Sequence, residues 1–328
     1  MGDVARLAGV SVQTVSRVAT GSEHVRPDTR EKVQRAMNKL GYSPNRAAQA
    51  LRRGSFRTIG VLTQQIQRTG EALTTAGVLE AATAADYAVN LVQVERPASD
   101  DLRQAVYRLS HQAIDGLVVV QAGRAGREHL VLPPSIPVAV SDSTLVDHYP
   151  SASADQVGGV RDAVEHLLGL GHRNIQHVCG PGDSQSSLIR RATWARCLRE
   201  AGLPVPEPIP GDWEAAAGYA AGRLLAADPE VTAVFCANDE LALGLIRAMH
   251  EQGRRVPADV SVVGFDGLDV GEYTFPPLTT VRQDFRRHGR EMVSLVLEQA
   301  GSGTLDGSRS IIIPTEFLVR GSTAPPAA

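Results

Sequence analysis

The chain has 328 residues, 43% of them hydrophobic, and a formal net charge of −3. That length allows more than one core, and that composition excludes a disordered or fibrous protein. No apolar run is long enough to span a membrane and no basic-then-apolar leader is present. The three cysteines (Cys179, Cys197, Cys236) show neither disulfide nor zinc spacing, so a reducing, cytoplasmic address is expected.

The first 57 residues break from the average. They carry 11 Lys and Arg against 4 Asp and Glu, a net charge of +7, which leaves −10 on the rest (22 basic against 32 acidic). Both lysines of the chain, Lys32 and Lys39, fall in this segment. A small basic module ahead of an acidic body points to a polyanionic partner for the module alone, with a solvated basic surface as the alternative.

Within the module Val4, Leu7 and Ala8 recur at helical spacing until Gly9-Val10 interrupts them, and Ser11 suits the N-cap of a second helix. That helix, SVQTVSRV (11–18), sets Val12, Val15 and Val18/Ala19 on one stripe and Gln13, Arg17 and Thr20 on the other, with Ser11, Thr14 and Ser16 as further polar groups. A third helix is expected from Pro27 through Val33, Met37 and Leu40 to a stop at Gly41. Three short helices with a tight first turn and a polar second helix make a helix-turn-helix. Its valines would dock the second helix while Arg17 reaches guanine and Gln13 adenine in a major groove of double-stranded DNA. A small helical bundle that binds no nucleic acid is the alternative. After it, YSPNRAAQALRRG (42–54) reads as a marginal helix, too short to hold alone, ending in a Gly-Ser joint.

From residue 57 strand-like runs alternate with helical stretches: RTIGVLTQ, AVNLVQVE, GLVVVQ and PVAVSD, then NIQHVCG, AVFCAND and VSVVGFD. The expected class is α/β, with two doubly wound parallel sheets and a cleft between two lobes. Polar residues stand where those strands end: Asp142, Asn238 and Asp266. Arg190 follows GPGDSQSS, and Trp213 follows a Gly-Asp turn. Carboxylates, an amide and a guanidinium around a flat ring suit a small sugar, whose hydroxyls need directional partners and whose C–H face stacks. Each has a plainer role open to it: Asn238 as a helix cap, Asp266 in a turn, Trp213 and Phe285 in the core.

Enzyme chemistry finds no support. GPGDSQ lacks the third glycine of a dinucleotide fingerprint, and no phosphate loop, HExxH or GxSxG occurs. His166 and His172 read as structural. No metal or cofactor is expected.

DVARLAGVSVQTVSRV and TREKVQRAMNKLGYSPNRAAQAL resemble the headpiece of the lactose-repressor family of bacterial transcription regulators. EHLLGLGHRNIQHVCGP, CANDELALG, PADVSVVGFD and PPLTTVRQDF resemble its body motifs, in the right order. The likeness runs over essentially the whole chain and is greatest to the member that gives the family its name, apart from that member's C-terminal tetramerisation tail of leucine heptads. It implies a helix-turn-helix domain over 1–43, a hinge helix and linker over 44–56, and over 57–328 a sugar-binding and dimerisation body like that of periplasmic binding proteins. It also implies a homodimer on a pseudo-palindromic operator, released by a sugar effector. A transport-type sugar-binding protein, or a regulator working by corepression, are the rival readings. Carried over residue by residue, Val12 is the lead base-contact position, with His24, Asn45 and Ala48 also at the DNA and Leu51 as the minor-groove wedge. Asp142, Arg190, Trp213, Asn238, Asp266, Gln283 and Phe285 match effector contacts. Gln64, Thr74, Val120 and Ala154 replace a serine, an isoleucine, an asparagine and a phenylalanine. A β-galactoside or related glycoside is therefore expected without its identity being fixed.

Overall fold

The computed structural model describes residues 1–20, 22, 24–42, 55–94, 104–105, 107–109, 114–120, 136–141, 145–146, 148–302 and 309–327. They fall into two compact units, Met1–Arg57 and Thr58–Ala328. The expected head–hinge boundary at 43/44 lies outside the described residues, as do Asn45, Ala48, Leu51 and Asp142.

In the first unit α1 (Gly2–Ala8) stops at Gly9, whose φ of 65° is left-handed and suits a residue without a Cβ. The side chain of Ser11 accepts from the Thr14 amide and caps α2 (Val12–Ala19), as its position predicts. Pro27 opens α3 (Pro27–Lys39), and Gly41 follows with a φ of 59°. Val4, Ala5, Val15, Val18, Val25, Val33, Ala36 and Met37 form one small core. One expectation fails: Val12, read on the inner stripe of α2, is 50% exposed, and it is the position that the resemblance gives as the lead base contact. Val15 and Val18 carry the docking of α2 instead.

The second unit holds two sheets. The first runs β10-β5-β4-β3-β1-β2, all parallel: β1 (Thr58–Thr63), β2 (Ala88–Gln93), β3 (Gly116–Val120), β4 (Val138–Val140), β5 (Ser151–Ala154) and β10 (Ser310–Ile313). The second runs β11-β9-β8-β7-β6. In it β6 (Ile175–Val178), β7 (Ala233–Cys236), β8 (Ser261–Asp266) and β9 (Thr279–Arg282) are parallel, and β11 (Glu316–Leu318) is an antiparallel edge. Buried valines and isoleucines fill both faces of each sheet, as parallel sheets under helices require.

The helices on the first sheet include α4 (Thr69–Ala84); those on the second include α5 (Gln156–Gly169), α6 (Gln185–Glu200), α7 (Ala215–Leu225) and α8 (Asp239–Glu251). The last helix, α9 (Phe285–Ser302), returns to the first lobe and packs on α4, β3, β4 and β5. The chain thus crosses between lobes after β5, after β9 and after β10. Helix contacts are close: a Cβ at Gly244 would overlap the Ala215 carbonyl between α7 and α8, and one at Gly289 would overlap the backbone of α4. No helix among the described residues is long and apolar enough to cross a membrane.

Candidate functional site

On α2 of the first unit, Gln13 and Arg17 are exposed, one turn apart, on the side opposite Val15 and Val18. This is the polar stripe that the sequence implies. Its third member differs: the Thr20 hydroxyl donates to the Ser16 and Arg17 carbonyls, at 2.9 and 3.1 Å, so its hydrogen closes the helix end. Ser11 and Thr14 are joined at 3.0 Å as a cap pair, Ser16 is half-buried, and His24 is exposed. Among the described residues no polar side chain of this unit is buried.

The second unit places its candidates in the opposite way. Thr74, Val120, Arg190, Trp213, Asn238, Asp266, Gln283 and Phe285 line one cleft between the lobes. Val120, Asn238, Asp266 and Gln283 end strands or follow them, Phe285 opens α9, and Thr74 and Arg190 lie in the second turns of α4 and α6, brought together because both sheets point their carboxyl ends at the same gap. Gln64 is buried at the end of β1 but does not line the cleft.

Arg190 is the centre of the second-lobe wall and is only 3% exposed. Its Nε donates to Gln156 Oε1 at 2.8 Å, its Nη1 donates to the Ala237 carbonyl, and Asp266 Oδ1 lies 3.4 Å from that nitrogen. The guanidinium lies over the Phe265 ring at 3.8 Å and near Trp213 at 5.4 Å. Asp266 ends β8 with a φ of 111°, a strained value for a residue with a side chain, and accepts from Gln283 Nε2 at 2.7 Å. Burial pushes its carboxyl up to about 6, against the pull of Arg190 and the Gln283 hydrogen bond. The pair lies within one lobe, so it does not clamp the two lobes together. Behind it the fully buried Asp239, held by Thr280 and the Leu268 amide, is pushed up to about 7 by burial and by Asp266.

Asn238 has both the plain role and the cleft position. Its carbonyl caps α8 by accepting from the Leu241 amide at 2.9 Å, and its amide donates to the Trp213 carbonyl at 3.0 Å and to Glu240 at 2.7 Å. Trp213 is half-buried against Gly180, where a Cβ would overlap the indole. Phe285, opening α9, lies against Gly70 from the first lobe.

Sequence reasoning missed Glu71, Ser186 and Glu240, all in the lining. Glu71 and Glu240 stand in the first turns of α4 and α8, where an acidic residue is ordinary helix chemistry, and Ser186 lay in the GPGDSQSS run, which was read only as leading to Arg190. Glu240 also bridges the lobes, accepting from the Thr69 hydroxyl. Cys179, Cys197 and Cys236 are free and buried, with thiols pushed up by burial. His172 is buried among Thr232, Ser261 and the Ala324 carbonyl, and His166 meets Thr323, so both are structural. Among the described residues no group of side chains could hold a metal ion.

Residues 1–45 match the model for bacterial regulatory proteins of the lacI family, and residues 164–323 that for a periplasmic binding protein-like domain. The chain is 36% identical over 330 residues to the lactose operon repressor of Escherichia coli (strain K12), covering 99% of this chain and 90% of that protein. A crystal structure of the lac repressor dimer bound to operator and an anti-inducer superposes with a TM-score of 0.87 at 34% identity, over 98% of each chain. A complex of the transcriptional regulator CelR with cellobiose superposes with a TM-score of 0.74 at 31% identity, again over 98% of each chain.

Proposed function

The chain belongs to the lacI family of bacterial regulatory proteins and is a transcriptional repressor with a ligand effector, and from that premise we propose that it is a homodimer released from a pseudo-palindromic operator by a sugar. The observation that carries the sugar reading is the second-lobe wall: a buried guanidinium, carboxylate and amide within hydrogen-bond reach of one another beside an indole face. Fixed donors and acceptors next to an aromatic plane match the hydroxyls and C–H face of a sugar ring. A β-galactoside is the first candidate, supported by the identity to the lactose operon repressor. A β-glucoside such as cellobiose is the second, supported by the likeness to the CelR complex.

Exposed Gln13 and Arg17 are the groups offered to the major groove. The segment 44–56, with Leu51 as wedge, is the coupling element in this reading, supported by the NRAAQAL motif. Sugar binding favours a form of the body that no longer supports that segment, which lowers operator affinity through the differential stability of two states. The test is a panel of mono- and disaccharides, scored by thermal stabilisation of the protein and then by release from an operator selected from random DNA. A sugar that stabilises the protein and tightens operator binding establishes corepression instead. A panel in which no sugar stabilises it refutes the sugar reading.

A further inference from the structure

Glu71, the third residue of α4, lines the cleft from the first lobe and is 3% exposed. Its two oxygens are treated very differently. Oε2 accepts three hydrogen bonds: from the Thr63 hydroxyl at 2.5 Å, the Gln64 amide at 3.0 Å and the Gln65 amide at 2.7 Å. Oε1 is buried and accepts no hydrogen bond among the described residues; the Arg68 guanidinium pairs with it by charge at 3.8 Å, too far to donate a hydrogen bond. The three donors hold Oε2 in place, and with it the carboxyl group. A buried acceptor left unmatched carries a desolvation cost that a donor arriving in the cleft cancels.

The opposite wall offers nothing comparable. There Arg190, Asp266 and Gln283 already bond to one another or to neighbours, so a ligand must compete for them. We propose that Glu71 Oε1 is the first lobe's anchor for the effector. It accepts a hydrogen bond from a sugar hydroxyl, and the cleft therefore selects a sugar with a free hydroxyl directed at the first lobe over a glycoside with an alkyl group there. This rests on the sugar reading above and narrows it to a class of ligand. The same hydrogen bond opposes the burial that pushes the Glu71 carboxyl up, so the bound state holds the charge better than the free one.

Glu71→Gln isolates the claim. The donors at Oε2 hold the amide oxygen in that place, so the amide nitrogen takes the position of Oε1 and an acceptor becomes a donor. Lactose, cellobiose, galactose, methyl β-galactoside and isopropyl β-thiogalactoside are titrated calorimetrically into the full chain. In wild type the free sugars should bind more tightly than the two alkyl galactosides. E71Q should weaken the tightest free sugar by about tenfold or more, leave the alkyl galactosides little changed and melt within a few degrees of wild type. Equal affinities in wild type and E71Q, or a wild type that prefers the alkyl galactosides, overturn the proposal. If no sugar of the panel binds wild type, the sugar reading itself fails and takes the proposal with it. Should E71Q fold poorly, the carboxyl carbon resonance of Glu71 in wild type decides: it should move on saturation with the tightest sugar, and a fixed resonance refutes the contact.

Discussion

The two compact units present their functional groups in opposite ways. In Met1–Arg57 the described core is entirely apolar, and Gln13 and Arg17 stand outside it. In Thr58–Ala328 the groups that line the cleft are themselves buried: Arg190, Asp266, Gln283, Asn238 and Glu71. The partners explain the difference. A DNA groove comes to the surface of a helix, so side chains offered to it can be solvated in the free protein and cost nothing to keep there. A small ligand is surrounded, so its partners must be desolvated in advance and held by one another until it arrives. Removing a functional side chain should therefore spare stability in the first unit and damage it in the second wherever a buried pair is broken from one side.

The strongest test is Arg190→Ala. It leaves Asp266, already pushed up to about 6 by burial, without the cation that pulls its carboxyl down. Breaking a buried pair from one side costs about 3–5 kcal/mol. The body should melt well below wild type and sugar stabilisation should vanish. Operator binding, measured well below the melting temperature, should persist because the first unit has its own core. A variant that loses sugar binding while melting like wild type would remove the distinction between the two units.

Acid should expose the same asymmetry. His177 is fully buried, donates through Nδ1 to the Phe235 carbonyl at 2.9 Å, stacks on Phe235 and has its pKa lowered to about 4 by burial. The unfolded chain takes up this proton near pH 6.5 and the folded one resists until about 4. The stability it contributes is intact above pH 6.5 and is lost as pH falls through that window, by on the order of 3 kcal/mol. Asp266 and Asp239, raised to about 6 and about 7, have the opposite sign. Their folded forms hold protons that the unfolded chain has released, so they cost stability as pH rises from about 4. His177→Asn separates the two effects. Its deficit against wild type in urea unfolding should be largest at pH 7 and shrink by about 3 kcal/mol towards pH 4. A constant deficit across that range would mean that the ring is protonated in the fold.

This contrast also decided how much could be read from the sequence. The first unit was legible because a helical period separates inside from outside, and it misled at Val12, which is exposed, and at Thr20, whose hydroxyl closes the helix end. In the body the valine-rich strands β1, β3, β4 and β6–β8 declared themselves, whereas β5 is SASA and β9 is TTVR. Those two are buried by position, at the crossings between lobes, not by their own hydrophobicity. Arg190, Asp266 and Asn238 could be placed because they end strands or follow them. Glu71 could not, since an acid in the first turn of a helix gives no sign that one of its oxygens will be buried without a partner.

Arg17→Ala tests the exposed side of the comparison. Loss of a base contact should cost about 1–3 kcal/mol of operator affinity per contacted site and relax preference at one base position, on an operator selected from random DNA. Melting should be unchanged to within about 0.5 kcal/mol, as expected of an exposed side chain. Unchanged base preference would show that the α2 stripe does not read the groove, and a large fall in melting temperature would show that the side chain is structural.

The smallest effect should come from the hydrogen bond between Thr69 and Glu240, which joins α4 of one lobe to α8 of the other. Both residues are half-buried, and Glu240 keeps its second donor, Asn238, at 2.7 Å when the threonine hydroxyl is removed. Thr69→Val should thus change stability by only about 0.5–1.5 kcal/mol, the net value of one such bond. Its influence on the cleft should be easier to see, because this bond is available only when the lobes approach. The variant should favour the open arrangement, raise the radius of gyration of the sugar-free protein in solution scattering and weaken sugar binding by a few-fold. Scattering and affinity both equal to wild type would assign the spacing of the lobes to the three chain crossings alone, with the cleft walls following passively.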